Sequence, residues 1–329
     1  MIKPDRDRIF SIADEDQFCG IALEIFRYQA ASNPVYSEFL KYLGTDIGSV
    51  SSIYEIPFLP IEFFRTHKVI SGIGEPEKVF GSSGTTGSST SWHYVTDISL
   101  YEKSFREAFR IFYGDPGDYY IAALLPSYAE RENSSLIYMM RDLIDNSQNS
   151  GGGFFIHDTD LLLSEIGKRK ESGLPVFLLG VSFALLDLAE KYSPDFSGVI
   201  VMETGGMKGR RKEMTREELY QVLRNGLNVE VIHSEYGMTE LLSQAYSKGE
   251  GIFNCPPWMR VLIRDTQDPL EIITEPGRSG GINIIDLANI NSCSFLSTAD
   301  LGKMHEDNSF EVLGRFDNSD IRGCNLLIG

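Results

Sequence analysis

The chain has 329 residues, 42% of them hydrophobic, enough to build a large buried interior distributed over more than one lobe. Lysine and arginine number 30 against 47 aspartates and glutamates, a formal net charge of −17. A surface of that sign excludes general attraction to nucleic acid or anionic membrane, so an anionic substrate would need a local electropositive pocket.

Met1-Ile2-Lys3-Pro4-Asp5-Arg6-Asp7-Arg8 lacks the apolar stretch of a signal peptide, and no apolar run is long enough to cross a bilayer. Cys19, Cys255, Cys293 and Cys324 form no C-x-x-C pair, which argues against a zinc site or a disulfide framework. Free thiols suit a reducing compartment. The expectation is a soluble cytoplasmic protein.

In chain order, Asp16 to Ala30 carries an apolar helical face through Phe18, Ile21, Ile25 and Phe26. Asn33-Pro34 caps a second helix that ends at Gly44. Val79-Phe80 then enters the run Gly81-Ser82-Ser83-Gly84-Thr85-Thr86-Gly87-Ser88-Ser89. Such a segment cannot build core. It suits a flexible linker, or a loop whose uncovered amides and hydroxyls surround an anion. It is not a P-loop, because the Gly-Lys-Ser/Thr ending is missing.

Short apolar runs follow at Ile121 to Leu125, Phe154 to Ile156, Val176 to Leu179, Val199 to Met202 and Val229 to Ile232. Helices beginning at Ser99, Ser134 and Ser182 separate them, with another that opens on the capping box Thr215-x-x-Glu218 and stops at Asn225-Gly226. This alternation predicts a mostly parallel sheet buried on both faces. After Lys248-Gly249-Glu250-Gly251 helical periodicity fades. Strand-like runs appear at Arg260 to Arg264, Glu271 to Thr274, Gly281 to Asp286, Ser294 to Ser297 and Phe310 to Leu313. Two domains are expected: an α/β body over residues 1–250 and a β-rich subdomain over 251–329.

Beyond the Gly81 to Ser89 loop, two further segments suit nucleotide chemistry. His233-Ser234-Glu235-Tyr236-Gly237-Met238-Thr239-Glu240 follows an apolar strand and reads as a turn into a helix, where open α/β sheets place ligands. Tyr236 offers a ring to a base, Thr239 a hydroxyl to phosphate and Glu240 a carboxylate to magnesium; an acidic first turn of a helix explains the same residues without a ligand. Ser297-Thr298-Ala299-Asp300-Leu301-Gly302 reads as a strand ending in an acid able to accept ribose hydroxyls. Gly314-Arg315-Phe316-Asp317-Asn318-Ser319-Asp320-Ile321-Arg322-Gly323 lies beyond it.

In this order the Ser/Thr/Gly loop, the Tyr-Gly-x-Thr-Glu turn, the Thr-x-Asp strand and the Gly-Arg-x-Asp segment resemble the adenylate-forming superfamily of acyl-CoA synthetases, peptide-synthetase adenylation domains and beetle luciferases. Thr204-Gly205-Gly206 fits the glycine turn that this superfamily sets beside adenine. Leu125-Pro126-Ser127-Tyr128, Glu203 to Arg211, Asp286-Leu287-Ala288-Asn289 and Asp320 to Cys324 more narrowly resemble the acyl-protein synthetases of bacterial luminescence. The resemblance implies an α/β fold of the adenylate-forming large-domain type, with mostly parallel sheets and a β-rich subdomain. The expectation is a chain without the small C-terminal domain, and without its lysine, that in the superfamily follows the Gly-Arg-x-Asp hinge. It implies ATP and Mg²⁺, a carboxylic acid substrate (in the narrower family a fatty acid), and an acyl-accepting reductase subunit or carrier.

On that resemblance Ser82, Ser83, Gly84, Thr85, Thr86 and Gly87 hold phosphates. Gly205, Gly206, Tyr236 and Gly237 face adenine, and Asp300 and Arg315 hold ribose. Thr239 contacts the α-phosphate, Glu240 the magnesium, His233 the carboxylate being activated, and Cys324 or a partner's cysteine accepts the acyl group; a hydrogen-bonded turn histidine and a small buried thiol explain His233 and Cys324 without a ligand. The Lys208, Arg210, Arg211 and Lys212 cluster is the nearest cation to replace the lysine, and Ser127 and Tyr128 are candidates for an acyl pocket. Leu136, Ile137, Met139 and Met140 either line a fatty pocket or pack a helix. His67, His93, His157 and His305 show no metal-like spacing. Two other functions fit parts of the chain. Gly180-Val181-Ser182-Phe183-Ala184 resembles a nucleophile elbow, as in a serine acyltransferase or esterase using Ser182. A non-catalytic nucleotide-binding subunit would keep the pocket without the chemistry.

Overall fold

The computed structural model describes residues 3–82, 90–126, 131–147, 151–205 and 214–316. The chain divides into two units, Met1–Glu75 with Pro257–Gly329, and Pro76–Pro256. After a single helical turn at Arg6–Ile9, the first unit continues with helices α1 (Glu15–Ser32) and α2 (Pro34–Leu43). Phe18, Ile21, Ile25 and Phe26 are the buried face of α1, as their spacing predicts. Asn33 caps α2 by accepting from the Tyr36 amide at 3.1 Å, Pro34 opens the first turn, and Gly44 closes it in the left-handed region at φ 69°.

The second unit opens with a hairpin, β1 (Lys78–Gly81) and β2 (Trp92–Val95). Then α3 (Ile98–Tyr113), β3 (Tyr120–Leu124), α4 (Ser135–Asp145), β4 (Gly153–Phe154), α5 (Thr159–Ser172), β5 (Val176–Val181), α6 (Ser182–Tyr192), β6 (Ile200–Thr204), α7 (Arg216–Leu227) and β7 (Ile232–Tyr236) alternate. β8 (Ala245–Ser247) and β9 (Ile252–Asn254) complete the unit. The strand order is β9-β8-β7-β6-β5-β3-β4, with parallel pairing from β7 through β4 and antiparallel pairing of β8 with its neighbours. Residues of β3 and β5 are buried throughout, the signature of a parallel sheet covered on both faces.

Two local expectations shift. The capping box at Thr215 and Glu218 is present, but α7 runs past Asn225-Gly226 to Leu227 and stops at Asn228, in the left-handed region at φ 50°. Gly226 lies inside the helix because α6 packs against it there: a Cβ at Gly226 would sit 2.7 Å from the Ala189 Cβ. The segment after Tyr236 does not begin a helix. It turns through Met238 and Leu241, whose amide donates to the Met238 carbonyl at 3.1 Å, and returns as β8 antiparallel to β7. Residues 240–247 are all buried, so no solvent face exists for an amphipathic helix to present.

The first unit is completed by β10 (Met259–Arg264), β11 (Ile272–Ile273), β12 (Ser279–Asp286), β13 (Phe295–Met304) and β14 (Phe310–Arg315), in antiparallel order β11-β10-β12-β13-β14. The strand expected to end at Asp300 continues to Met304, because both neighbours keep pairing with it beyond that residue. Phe295 anchors the core of this unit against Phe26, Tyr36 and Phe58, at ring separations of 6.1 to 6.3 Å. Gln29 on α1 is fully buried. It donates to the Asn289 and Ile290 carbonyls and accepts from the Ser294 amide. Among the described residues no helix is long and apolar enough to cross a membrane.

Candidate functional site

The β1–β2 hairpin positions the neck of the Gly/Ser/Thr loop. Phe80 pairs with His93 and Gly81 with Trp92 across it. The Ser82 amide donates to the Ser91 carbonyl at 3.0 Å, and the Ser91 amide donates to Ser82 Oγ at 2.9 Å. Phe80 is fully buried against Tyr101 and Tyr138, with ring centroids 5.5 and 5.7 Å away, so the hairpin is fastened to α3 and α4 by aromatic packing.

His93 makes the second attachment. It is fully buried, and its Nδ1 lies 2.8 Å from the Thr239 carbonyl oxygen, 146 residues along the chain. A carbonyl only accepts, so Nδ1 carries the proton. This bond joins the strand leaving the loop directly to the Tyr-Gly-x-Thr-Glu turn. Sequence reasoning left His93 without a role, because nothing near it predicts so distant a partner.

Within the turn, Tyr236 is 9% exposed and meets Phe253 edge-on at 5.9 Å. Glu240 is 6% exposed. Glu235 accepts from Thr204 Oγ1 at 2.6 Å, which ties the end of β7 to the residue before the Gly205 turn. A Cβ at Gly237 would lie 2.3 Å from Glu235 Oε1, so only glycine leaves that carboxylate its place. Gly205 has φ 78°, in the left-handed region glycine favours.

A second carboxylate works on the neighbouring register position. Glu203 accepts from Ser182 Oγ and, at 3.2 Å, from Ser234 Oγ, which is itself hydrogen-bonded to the Tyr220 hydroxyl. β5, β6 and β7 align Gly180, Glu203 and Ser234 side by side, so one acid gathers the carboxyl ends of these strands and the start of α6. Ser182 and Ser234 have no more than 1% exposure. Ser182 is thus a buried donor to a carboxylate, with neither the histidine partner nor the access that a nucleophile elbow requires.

His233 points away from this group. Side chains alternate along a strand, so His233 and Tyr236, three residues apart, face opposite sides of the sheet. Its Nδ1 is 3.2 Å from the Tyr113 hydroxyl. Burial, with the charge of Lys248 adding to it, pushes the imidazole down to about 4, so it is neutral at pH 7. Asp300 and Arg315 pair directly across β13 and β14, with Arg315 Nε 3.2 Å from Asp300 Oδ1. The Asp300 side chain is 11% exposed and that of Arg315 74%. The Asp300 amide donates to Thr298 Oγ1 at 3.1 Å.

The described residues hold no group of three or more His, Cys, Asp or Glu poised for a metal. Glu240 alone fits magnesium that arrives with nucleotide phosphates as ligands, because that ion needs few protein carboxylates when the substrate supplies oxygens. Ser83, Gly84, Thr85, Thr86, Gly87, Gly206 and Cys324 lie outside the described residues, as do Ser127, Tyr128, Asp317 and the Lys208 to Lys212 cluster. Cys293 is fully buried, and burial pushes its thiol up to about 12. Ile137, Met139 and Met140 are buried on α4.

No family model matches the chain, and no curated protein matches it. Solved structures do. An ATP-bound MatB from Rhodopseudomonas palustris aligns with a TM-score of 0.54 at 16% identity, over 72% of this chain and 47% of its own. A long-chain-fatty-acid-CoA ligase, FadD1, from Archaeoglobus fulgidus aligns at 0.52 and 16%, over 76% and 53%. A malonyl-CoA ligase holding methylmalonyl-CoA and AMP aligns at 0.51 and 15%, over 74% and 54%. The chain spans about half the length of these structures. The fold is that of the large domain of adenylate-forming, acyl-CoA synthetase-like enzymes.

Proposed function

We propose that the protein activates a carboxylic acid with Mg-ATP, forming an acyl-adenylate and releasing pyrophosphate, and then passes the acyl group to a thiol. The single observation carrying this is the His93–Thr239 bond, which joins the strand leaving the Gly/Ser/Thr loop to the Tyr-Gly-x-Thr-Glu turn, in a fold shared with an ATP-bound MatB. A carboxylate resists attack because oxide leaves poorly. In adenylation a carboxylate oxygen attacks the α-phosphorus, the bond to the β-phosphate bridge breaks, and pyrophosphate departs with the electron pair. AMP is then the leaving group when a thiolate attacks the acyl carbon.

The loop residues Ser82 to Gly87 hold the β- and γ-phosphates, Thr239 the α-phosphate, and Glu240 the magnesium that arrives with them. Gly205, Gly206, Tyr236 and Gly237 serve adenine, and Asp300 and Arg315 serve ribose. His233, neutral at pH 7, is placed to accept hydrogen bonds rather than to supply charge. The narrower resemblance favours a fatty acid as substrate and a protein thiol as acceptor, Cys324 or that of a reductase or carrier partner. The same reading makes this a cytoplasmic enzyme.

The test is pyrophosphate exchange into ATP across a panel of carboxylic acids. Exchange that requires both acid and magnesium, and falls sharply in Asp300→Ala, is the expected result. ATP binding with no exchange for any acid would instead leave a nucleotide-binding subunit.

A further inference from the structure

Between β12 and β13 the antiparallel ladder of the first unit skips. Gly281 pairs with Leu301, and Asn283 pairs with Ser297. Ile282 alone therefore faces Thr298, Ala299 and Asp300, and β13 bulges across those residues. On the other side of β13, Asp300 still pairs with Arg315 of β14. A bulge breaks the ladder locally, so the carbonyls beside it need donors from elsewhere. Bulges of this kind re-aim the side chains they carry.

Arg264, the last residue of β10, supplies them from a buried position. Its Nη1 donates to the Ile282 carbonyl at 2.7 Å and to Asn283 Oδ1 at 2.9 Å, and its Nη2 donates to the Thr298 carbonyl at 2.6 Å. Thr298 Oγ1 donates to the same Ile282 carbonyl at 2.9 Å and accepts from the Asp300 amide at 3.1 Å. The ring of Phe316, whose amide donates to the Ala299 carbonyl at 2.8 Å, is centred 5.5 Å from the guanidinium carbon. Gly281 leaves the space: a Cβ there would lie 2.4 Å from Arg264 Cζ. One planar fork thus reaches both sides of the bulge, and lysine has no equivalent fork. Taking a guanidinium out of water is costly even when its hydrogen bonds are made, so packing alone favours an apolar side chain here. What arginine adds is a fixed path for residues 298–300.

We propose that Arg264 is a positioning residue: its guanidinium fixes the bulge at residues 298–300 and so sets the direction in which Asp300 presents its carboxylate to the ribose hydroxyls of the nucleotide. The inference rests on the ribose role of Asp300 read above. Arg264 acts through Thr298 and the Asp300 amide rather than on the nucleotide itself. Two hydroxyls must be met by one carboxylate, so a small rotation of Asp300 loses the ribose contacts while leaving those to base and phosphates.

The experiment is calorimetric titration of the full chain with ATP and with 2′,3′-dideoxy-ATP, both with magnesium, alongside thermal melting of every variant. The wild type is expected to prefer ATP about tenfold or more, and Asp300→Ala to lose that preference. Arg264→Met and Arg264→Lys should each bring the preference to within about threefold, while affinity for the dideoxy nucleotide changes little. Damage to the fold alone would weaken both nucleotides in parallel and keep their ratio. A folded Arg264 variant with the wild-type preference overturns the proposal. So does failure of both Arg264 variants to fold, which would make the residue purely structural. If the wild type binds the two nucleotides alike, or Asp300→Ala keeps the preference, the ribose role of Asp300 falls and this inference falls with it. A preference that depends on Asp300 but not on Arg264 removes the inference alone.

Discussion

The Nδ1 of His93 donates to the carbonyl oxygen of Thr239 across 2.8 Å, in a position with no solvent exposure. One hydrogen bond thus couples a strand that carries a glycine- and hydroxyl-rich loop to a turn 146 residues later. His93→Phe keeps a ring of similar size and deletes the donor. The Thr239 carbonyl is only part-buried, so leaving it unpaired costs about 1 kcal/mol, the low end of the range for lost hydrogen bonds. The expected outcome is a lower urea midpoint together with weakened ATP binding. Unchanged ATP affinity in a destabilised variant would reduce the bond to a purely structural role.

Glu203 accepts from Ser182 and Ser234 at once; its loss leaves the buried Ser182 hydroxyl without that acceptor, while Ser234 keeps the Tyr220 hydroxyl as a partner. Glu203→Leu should cost about 1–3 kcal/mol, chiefly through Ser182. Glu203→Gln retains an oxygen acceptor and should fall between it and the wild type. Chemical denaturation of the three proteins checks the order. Ser182 in the native protein should stay unlabelled by a fluorophosphonate, since its hydroxyl is buried and bonded to a carboxylate.

Gly226→Ala separates propensity from packing. In a free helix interior the change gains about 1 kcal/mol. Here the new methyl meets the Ala189 Cβ at 2.7 Å and its backbone oxygen at 3.0 Å, neither of them the end of a flexible chain. Overpacking of this kind costs about 1–3 kcal/mol, so the variant should be less stable than the wild type by thermal melting.

His233 sets a pH dependence of stability. Burial holds its folded-state pKa near 4, below the ordinary value of 6.5. Between those two values the unfolded chain binds a proton that the folded chain does not, so this residue's contribution is lost as pH falls from about 6.5 to 4 and is level below that. Urea midpoints between pH 7 and 4.5 should decline less steeply in His233→Gln. Parallel slopes for the two proteins would mean that the imidazole is protonated in the fold.

Much of the local structure was legible in the residues themselves. The Asn33-Pro34 cap, the stop at Gly44 and the Thr215–Glu218 box act over three or four residues, so a short stretch contains all the participants. The apolar runs of β3 and β5 declare strands buried on both faces for the same reason. The turn after Tyr236 departs from its local pattern because the deciding contacts are remote. The chain returns as a strand because β7 offers a free edge to Ala245–Ser247, and because Ser243 meets Ser104 of α3 at 3.0 Å. Gly226 carried the mark of a helix end but answers to Ala189 on another helix.

By itself the sequence determined the kinds of elements, their caps and the order of the motif segments, because periodicity and capping are short-range chemistry. Only the tertiary structure decided that His93 meets Thr239, that Glu203 gathers Ser182 and Ser234, and that Gln29 binds the backbone around residues 289–294. Those partners lie 21 to 265 residues apart, and strand order, which no local pattern encodes, brings them within hydrogen-bonding distance.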